Sequence, residues 1–397
     1  MKQFSAVLSK PAHPEYGTVT IPFPIPDELY SQGMEQLEAL EIGDAVRQDC
    51  QLNELTDGYP ILKQMEMTAV NVDELNYLAK RLDSFDSGEA AQFQAMAHKL
   101  DLFDAKDFIN LTFCCQQATV ITDFSTLEAA GRAHYLHLHD GCAPVQEMEA
   151  LDGYETALLL INSGAGAITP YGVVYDNGMR LCQEYDGRRF PEYDHGGSLL
   201  TVELAVQESQ GQESRSSWLH LPMLDRQLAR AWIRAGADTA YYMEVKPVNS
   251  ELPQQIDAVL DVRFEGVGDL NRMCRAIAAL PERDRPKLAA AVIMTEANTA
   301  SEITEVAKNL DQFDFIPGVK TPEEYGRYMI QESNHFEYDP NLEPFYDYEK
   351  YGRQRIAQEQ GKFNEMGYVA YQGILSMDEL LHGDPAERMD QGMGGMA

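Results

Sequence analysis

Residues 72–132 fall on residues 267–327 without a gap when the chain is shifted by 195 positions. Val72 meets Val267, Leu75 meets Leu270 and Asn76 meets Asn271. Leu78, Leu82, Phe85 and Phe93 meet Met273, Ile277, Leu280 and Leu288. Ala105, Phe108, Leu111, Cys115 and Val120 meet Ala300, Ile303, Val306, Leu310 and Phe315, and Thr126, Glu128, Gly131 and Arg132 meet Thr321, Glu323, Gly326 and Arg327. Core-type positions keep their character while the others drift. A duplicated packed unit behaves this way, because burial constrains volume and water does not. Leu75, Leu78 and Leu82, like Phe93, Met96, Ala97 and Leu100, recur at three- and four-residue steps, so the repeated unit is helical. We expect one helical unit at 71–140 and its counterpart at 263–330.

Upstream of each helical unit lies a short β–α entry. Thr18-Val-Thr-Ile-Pro-Phe-Pro-Ile-Pro26 reads as an edge strand stopped by prolines, and Asp27-Glu28-Leu29-Tyr30 opens a helix through Leu37 and Leu40. Trp218-Leu-His-Leu-Pro222, followed by a helix through Leu228, Ala229 and Trp232, parallels it. Small mixed units are therefore expected at 1–70 and 216–262, with 18–135 as a partial copy. Between the copies, 151–207 reads differently. Ala157–Ile161 is a buried-strand candidate. Tyr171–Tyr175 and Met179–Tyr185 flank Asn177-Gly178, which suits a primed hairpin turn, and Leu199–Leu204 is a further strand. We expect a β-rich insert there and a polar linker at 207–216. The fold class is α+β: an elongated, multi-domain chain of small mixed units and helical bundles with a β-rich insert. Residues 376–397 are expected to form a partly disordered tail.

With 397 residues, the chain is long enough for several domains. Its net charge of −33 disfavours nucleic acid and anionic membranes as partners and favours basic ones. Laid along one surface, that charge would match about 16–17 base pairs of duplex DNA. The plainer reading of such acidity is solubility. No run of about 18 apolar residues is present, and Met1-Lys2-Gln3-Phe4-Ser5 lacks a signal core. Six cysteines without a paired framework read as reduced thiols, hence a cytoplasmic setting; Cys114-Cys115 reads as core.

Few residues invite chemistry. His134, His137 and His139 beside Asp140 lack a second ligand cluster and read as a solvated helix end, so no metal is expected. Ser163-Gly-Ala-Gly-Ala-Ile168 lacks the Lys-Ser/Thr of a phosphate loop and reads as a turn. Arg188 and Arg189 read as a turn tip, and Ser125–Glu128 as a capping box. No catalytic set and no cofactor is expected, so the chain is not read as an enzyme.

The acidic C-terminal stretch 331–375 carries the stronger signal. Asp347 is a candidate helix N-cap, Glu349 and Arg353 can pair four residues apart, and Gly361 stands where a helix would stop. Phe363, Tyr368 and Val369 suggest a short strand. Thr321-Pro322-Glu323-Glu324 has capping-box spacing, which explains both glutamates locally. Glu332, Glu337, Asp339, Glu343, Asp347 and Glu349 recur along an aromatic-rich run with few basic neighbours.

The words Tyr346-Asp347-Tyr348-Glu349-x-Tyr351-Gly352-Arg353 and Gly361-x-Phe363-x-x-x-Gly367-Tyr368 resemble the C-terminal signature of the ArdA antirestriction proteins, and Trp218-x-x-Leu-Pro222 resembles that family's opening. The resemblance covers about 216–370. It implies an acidic protein of mobile genetic elements that imitates bent DNA and occupies the DNA channel of type I restriction–modification enzymes. It also implies a homodimer. The partner-binding surface would then comprise Glu323, Glu324, Glu332, Glu337, Asp339, Glu343, Asp347 and Glu349. This chain is more than twice the family's usual extent, which leaves two other readings open. One is an inhibitor of another nucleic-acid machine, such as a CRISPR effector or a host DNA-binding regulator. The other is an accessory enzyme with its site in the insert.

Overall fold

Apolar steps of three and four become helices where the spacing predicts them. The computed structural model describes residues 4–139, 141–193, 196–333 and 337–383. The chain forms two compact units, one of residues 1–195 with 224–240 and the other of residues 196–223 with 241–397.

In the first unit, β1 (Phe4–Ser9) pairs antiparallel with β2 (Thr18–Phe23) and β3 (Cys50–Asp57), and β4 (Ala69–Val70) pairs with β3. The order β2-β1-β3-β4 leaves β2 at the edge, where Pro22 breaks no ladder. α1 (Asp27–Ala39) carries Asp27 and Glu28 in its first turn. α2 (Val72–Asp83) starts at Asn71, whose side chain accepts from the amides of Asp73 and Glu74. α3 (Ser87–Leu100) and α4 (Ala105–Leu111) start at Asp86 and Asp104, which act in the same way. Phe93 sits centrally, its ring centroid 5.8 Å from Phe108, 5.9 Å from Phe85 and 6.3 Å from Tyr59. A buried phenylalanine of this kind contributes about 2–3 kcal/mol.

A second sheet follows, of β5 (Thr119–Ile121), β6 (Ala167–Thr169) and β7 (Gly172–Tyr175) in the order β5-β7-β6. Between β5 and β6 run α5 (Leu127–His137), α6 (Val145–Ala150) and α7 (Gly153–Asn162). α5 and α7 cross backbone on backbone: a Cβ on Gly131 would lie 1.8 Å from the Gly153 carbonyl oxygen.

Four local expectations are corrected here. Ala157–Ile161 is the middle of α7, not a strand. An apolar run of five suits either state, and Asp152 decides it by accepting from the Glu155 amide at 2.9 Å. Asn177 and Gly178 do turn with φ of 54° and 81°. Met179–Tyr185 nevertheless forms no strand, since β7 is already paired on both sides. Segment 151–207 is therefore mixed rather than β-rich. At Ser125–Glu128 no capping box forms; Asp123 instead caps a 3-10 turn, accepting from Ser125 at 2.8 Å.

The fourth correction concerns Arg188 and Arg189. Their amides do bond Asp186, at 2.7 and 2.8 Å. Their guanidiniums go on to cap the carbonyl end of α8 (Asp225–Ala235). Arg188 donates to the carbonyls of Arg234 and Ile233 at 2.9 and 3.1 Å, and Arg189 to that of Ala235 at 3.2 Å. Cations belong at that end of a helix. From α8, Arg226, Arg230 and Arg234 form a ladder at i, i+4 and i+8. Arg226 meets Glu35 and Glu38, Arg230 holds Asp73 at 3.0 Å, and the buried Arg234 donates to Asn71 and to the Tyr185 hydroxyl. The Tyr185 hydroxyl donates in turn to the buried Glu74 at 2.9 Å.

In the second unit, β8 (Leu200–Gln207) is flanked by β9 (Arg215–Leu221) and β10 (Tyr242–Ser250). The expected 207–216 linker shrinks to the seven or so residues between β8 and β9. After α9 (Gln254–Asp257), the helices α10 (Val267–Ala278), α11 (Arg285–Thr295) and α12 (Ala300–Lys308) bury Leu270, Met273, Ile277, Leu288, Ile303 and Val306. β11 (Phe313–Pro317), α13 (Pro322–Gln331), α14 (Tyr348–Glu359), β12 (Lys362–Phe363) and β13 (Gly367–Tyr371) complete it, with sheet order β11-β13-β12. α15 (Met377–His382) falls in the stretch expected as a tail; 384–397 lie outside the described residues.

All six cysteines are free thiols, and Cys114 and Cys115 are buried as expected. Among the described residues no helix is long and apolar enough to cross a membrane, and no group of three or more His, Cys, Asp or Glu could hold a metal. Asp140 lies outside the described residues. His134 and His137 are not a solvated helix end; both reach the Thr119 hydroxyl through Nδ1 at 3.0 Å. The Gln92 amide nitrogen, fixed on the Ala118 carbonyl, stands 3.2 Å from His137 Nε2. His137 must therefore accept there and donate from Nδ1 to Thr119, whose own proton goes to His134. Asn177 donates to the same hydroxyl oxygen at 3.0 Å. Both rings are neutral in this arrangement, and burial holds both below the ordinary histidine range.

Two outcomes are expected. Because these histidines titrate lower when folded, the unfolded chain takes up protons first as pH falls below about 6.5. Their contribution to stability is whole above that pH and drains below it. A His134→Gln/His137→Gln variant should show a flatter stability profile between pH 7 and 5 in urea titrations; an unchanged slope would refute the coupling. Gly131→Val should cost about 2–3 kcal/mol by overpacking the α5–α7 crossing, read as a lowered urea midpoint.

Candidate partner interface

Helix starts are where backbone N–H groups lack partners, and carboxylates fill that need. Three such starts lie close in sequence within the second unit. At α13, Thr321 Oγ1 accepts from the Glu324 amide at 3.2 Å, and Glu324 accepts from the amides of Thr321 and Lys320 at 3.1 and 2.7 Å. These backbone bonds hold the Glu324 carboxyl below its usual range. At the 3-10 turn Pro340–Phe345, Asp339 accepts from Asn341 at 2.9 Å. At α14, Asp347 accepts from Lys350 at 3.0 Å, as expected of an N-cap.

The elements carrying these carboxylates are fixed by a close crossing. A Cβ on Gly326 would lie 2.0 Å from the Tyr348 carbonyl oxygen, and one on Gly352 would lie 1.8 Å from that of Pro322. α13 and α14 thus touch through their backbones. Arg327, next to the crossing, ties the three starts together. Its guanidinium reaches Glu343 at 3.2 Å and Glu323 at 3.4 Å, and lies 4.5 Å from the Tyr348 ring centroid. Tyr338, Tyr346 and Tyr348 stand in a row with centroid spacings of 6.0 and 5.8 Å.

The eight candidate carboxylates divide by what holds them. Glu324, Asp339 and Asp347 are caps. Glu323 and Glu343 share Arg327, and Glu349 pairs with Arg353 at 2.6 Å, four residues on as the spacing predicts. The side chains of Glu332 and Glu337 are exposed and have no ion pair or hydrogen bond among the described residues. All eight side chains face solvent. Exposed pairs of this kind are weak and exchange readily with a competing cation. Glu332 stands out because it follows the last turn of α13, where the helix dipole disfavours an acid. Local stability accounts for the caps and does not account for Glu332.

Gly361 is not the left-handed stop. Gln360 takes that conformation, with φ of 55°. Gly361 is required by space instead, since a Cβ there would fall 2.0 Å from the Tyr368 hydroxyl. Glu359 faces inward, accepting from the hydroxyls of Tyr325 and Tyr368 and pairing with Arg355. Burial and this carboxylate push both phenols well up. Sequence reasoning missed the Gly326–Gly352 contact and the Arg327 hub. A glycine inside each of two predicted helices was the available signal.

A search of curated proteins gives no match to this chain. Residues 211–370 match the family model of the antirestriction protein ArdA. That stretch runs from before β9 to within β13 and holds the whole α13–α14 crossing with its acidic starts. Over residues 211–370 the chain therefore carries a domain of the ArdA antirestriction family.

Proposed function

We propose that the protein is an acidic DNA mimic that occupies the DNA channel of type I restriction–modification enzymes. The observation that carries this reading is the set of solvent-facing carboxylates clamped by backbone bonds and Arg327 within the family-matched stretch. Rigid presentation matters because little side-chain order remains to be lost on binding. A basic channel that grips phosphates would meet carboxylates on fixed helix starts instead, and DNA would be kept out. The protein acts by occupancy, without turnover, cofactor or metal, and itself binds neither DNA nor membrane. Free thiols suit the reducing cytoplasm, where incoming DNA of mobile elements meets restriction. Self-association into a homodimer would add to the surface, and sedimentation of the purified chain reads it directly.

Phage plating on a host with a type I system, with and without the protein and with a modification readout, tests the activity. Restriction should be relieved, and unmodified phage should plate at higher efficiency. In vitro, binding to the purified enzyme should weaken as salt rises, and duplex DNA should displace the inhibitor. Each of Glu332→Gln, Glu337→Gln and Glu343→Gln should weaken binding about two- to fivefold, with the losses accumulating. A triple variant that inhibits as well as the parent would remove these residues from the interface. Relief of a CRISPR effector with no relief of restriction would reassign the target.

A further inference from the structure

Residues 4–175 lie outside the family match, yet their internal plan is that of residues 200–371, which contain most of the matched stretch. β1 is flanked by β2 and β3, and β8 by β9 and β10, antiparallel throughout. In each sheet the pairing with the third strand carries a register shift, at Val7/Leu8 and at Pro247/Asn249. The residue after each entry proline is held alike. Ile25 N donates to Asn76 at 2.8 Å, and Met223 N donates to Asn271 at 2.7 Å.

The 195-residue correspondence continues well past residue 132. Gly131 packs on Gly153 and Ala157 in α7, and Gly326 packs on Tyr348 and Gly352 in α14, each position displaced by 195. Asp152 and Asp347 cap those helices. Arg132 and Arg327 each bond the glutamate four residues earlier and then the segment leading into the second helix. Gly166 is crowded by Val173 and Gly361 by Tyr368, while Gly172 meets the Ile121 carbonyl and Gly367 that of Ile316. Sheet orders β5-β7-β6 and β11-β13-β12 agree strand for strand. Three glycine pairs, Gly131/Gly326, Gly166/Gly361 and Gly172/Gly367, stand 195 apart where no Cβ fits, and two of them close on backbone carbonyls at corresponding positions.

We propose that residues 4–175 are a second, complete unit of the fold that residues 200–371 form around the family match, and that it is a second inhibitory module, so that one chain brings two to its target. The inference rests on the function proposed above. Charge does not carry it; the repeated frame does. That frame sets Glu128 and Asp152 where Glu323 and Asp347 stand, with Glu147, Glu149 and Glu155 exposed beside them. The partner chemistry is accordingly the same, a cationic channel that holds DNA phosphates. Two modules on one chain raise each other's local concentration, so disabling either should cost far more than a single contact.

The test uses the full chain in three forms beside the parent. One form carries Glu147→Gln, Glu149→Gln and Glu155→Gln. Another carries Glu332→Gln, Glu337→Gln and Glu343→Gln, and the last carries all six. Inhibition of a purified type I enzyme is titrated for each, after urea unfolding has shown unchanged midpoints. Each triple variant should need at least about tenfold more protein for half inhibition, and the sixfold variant about a hundredfold or more. If the first-unit variant inhibits like the parent while the second-unit variant fails, the first unit is no inhibitory module. If the parent itself does not inhibit, the underlying function falls and takes the inference with it.

Discussion

Everything at the candidate interface depends on two helices being allowed to touch backbone to backbone. At Gly326 and Gly352 there is no room for even a methyl group. Without side chains between them, the carbonyls of one helix lie against the other, and the N-terminal ends of both are fixed to within the slack of a van der Waals contact. Glycine inside a helix is costly, about 1 kcal/mol against alanine. The fold accepts that cost on α13 and α14, and in α5 at Gly131. The return is geometric: capping carboxylates are placed by main chain, the stiffest part of the molecule, rather than by flexible side chains.

The same economy shows in how the arginines are used. A chain of net charge −33 repels itself, and its few cations must be spent with care. Arg327 serves two carboxylates and one aromatic face. Arg188 and Arg189 close a helix end, and Arg234 is buried against Asn71, Tyr185 and a carbonyl. Most of these cations stabilise the frame from within or along its seams. Among the described residues the Glu332 and Glu337 side chains have no cationic partner, which is the distribution expected if an external basic partner is to supply the missing charge.

The sequence made the helices of both halves legible because burial repeats every three or four residues and the same apolar pattern recurs 195 positions on. Thr321 and Asp347 were legible as caps because capping chemistry is local. Ala157–Ile161 was misread because a short apolar run carries no period, and the deciding contact came from Asp152 just outside it. Met179–Tyr185 was misread because strand formation needs a free edge, and edge availability is a property of the whole sheet. Drift on the surface hid the continuation of the repeat past residue 132: Leu158, Leu159 and Leu160 stand opposite Arg353, Gln354 and Arg355. Five identities remain there, at Asp152, Ile161, Gly166, Gly172 and Val174, too sparse to show without the contacts that several of them make.

The placement of α8 has a practical consequence. Its residues lie between β9 and β10 in the chain, yet they pack with the first unit, so the polypeptide passes from one unit to the other and back again. No single scissile position separates the molecule into its two folded parts. A fragment ending near residue 195 would leave Asp73 without Arg230, and a fragment starting there would carry three arginines with nothing to hold. Genetic division of this protein has to be made at three junctions, or by circular rearrangement, before either part can be judged by itself.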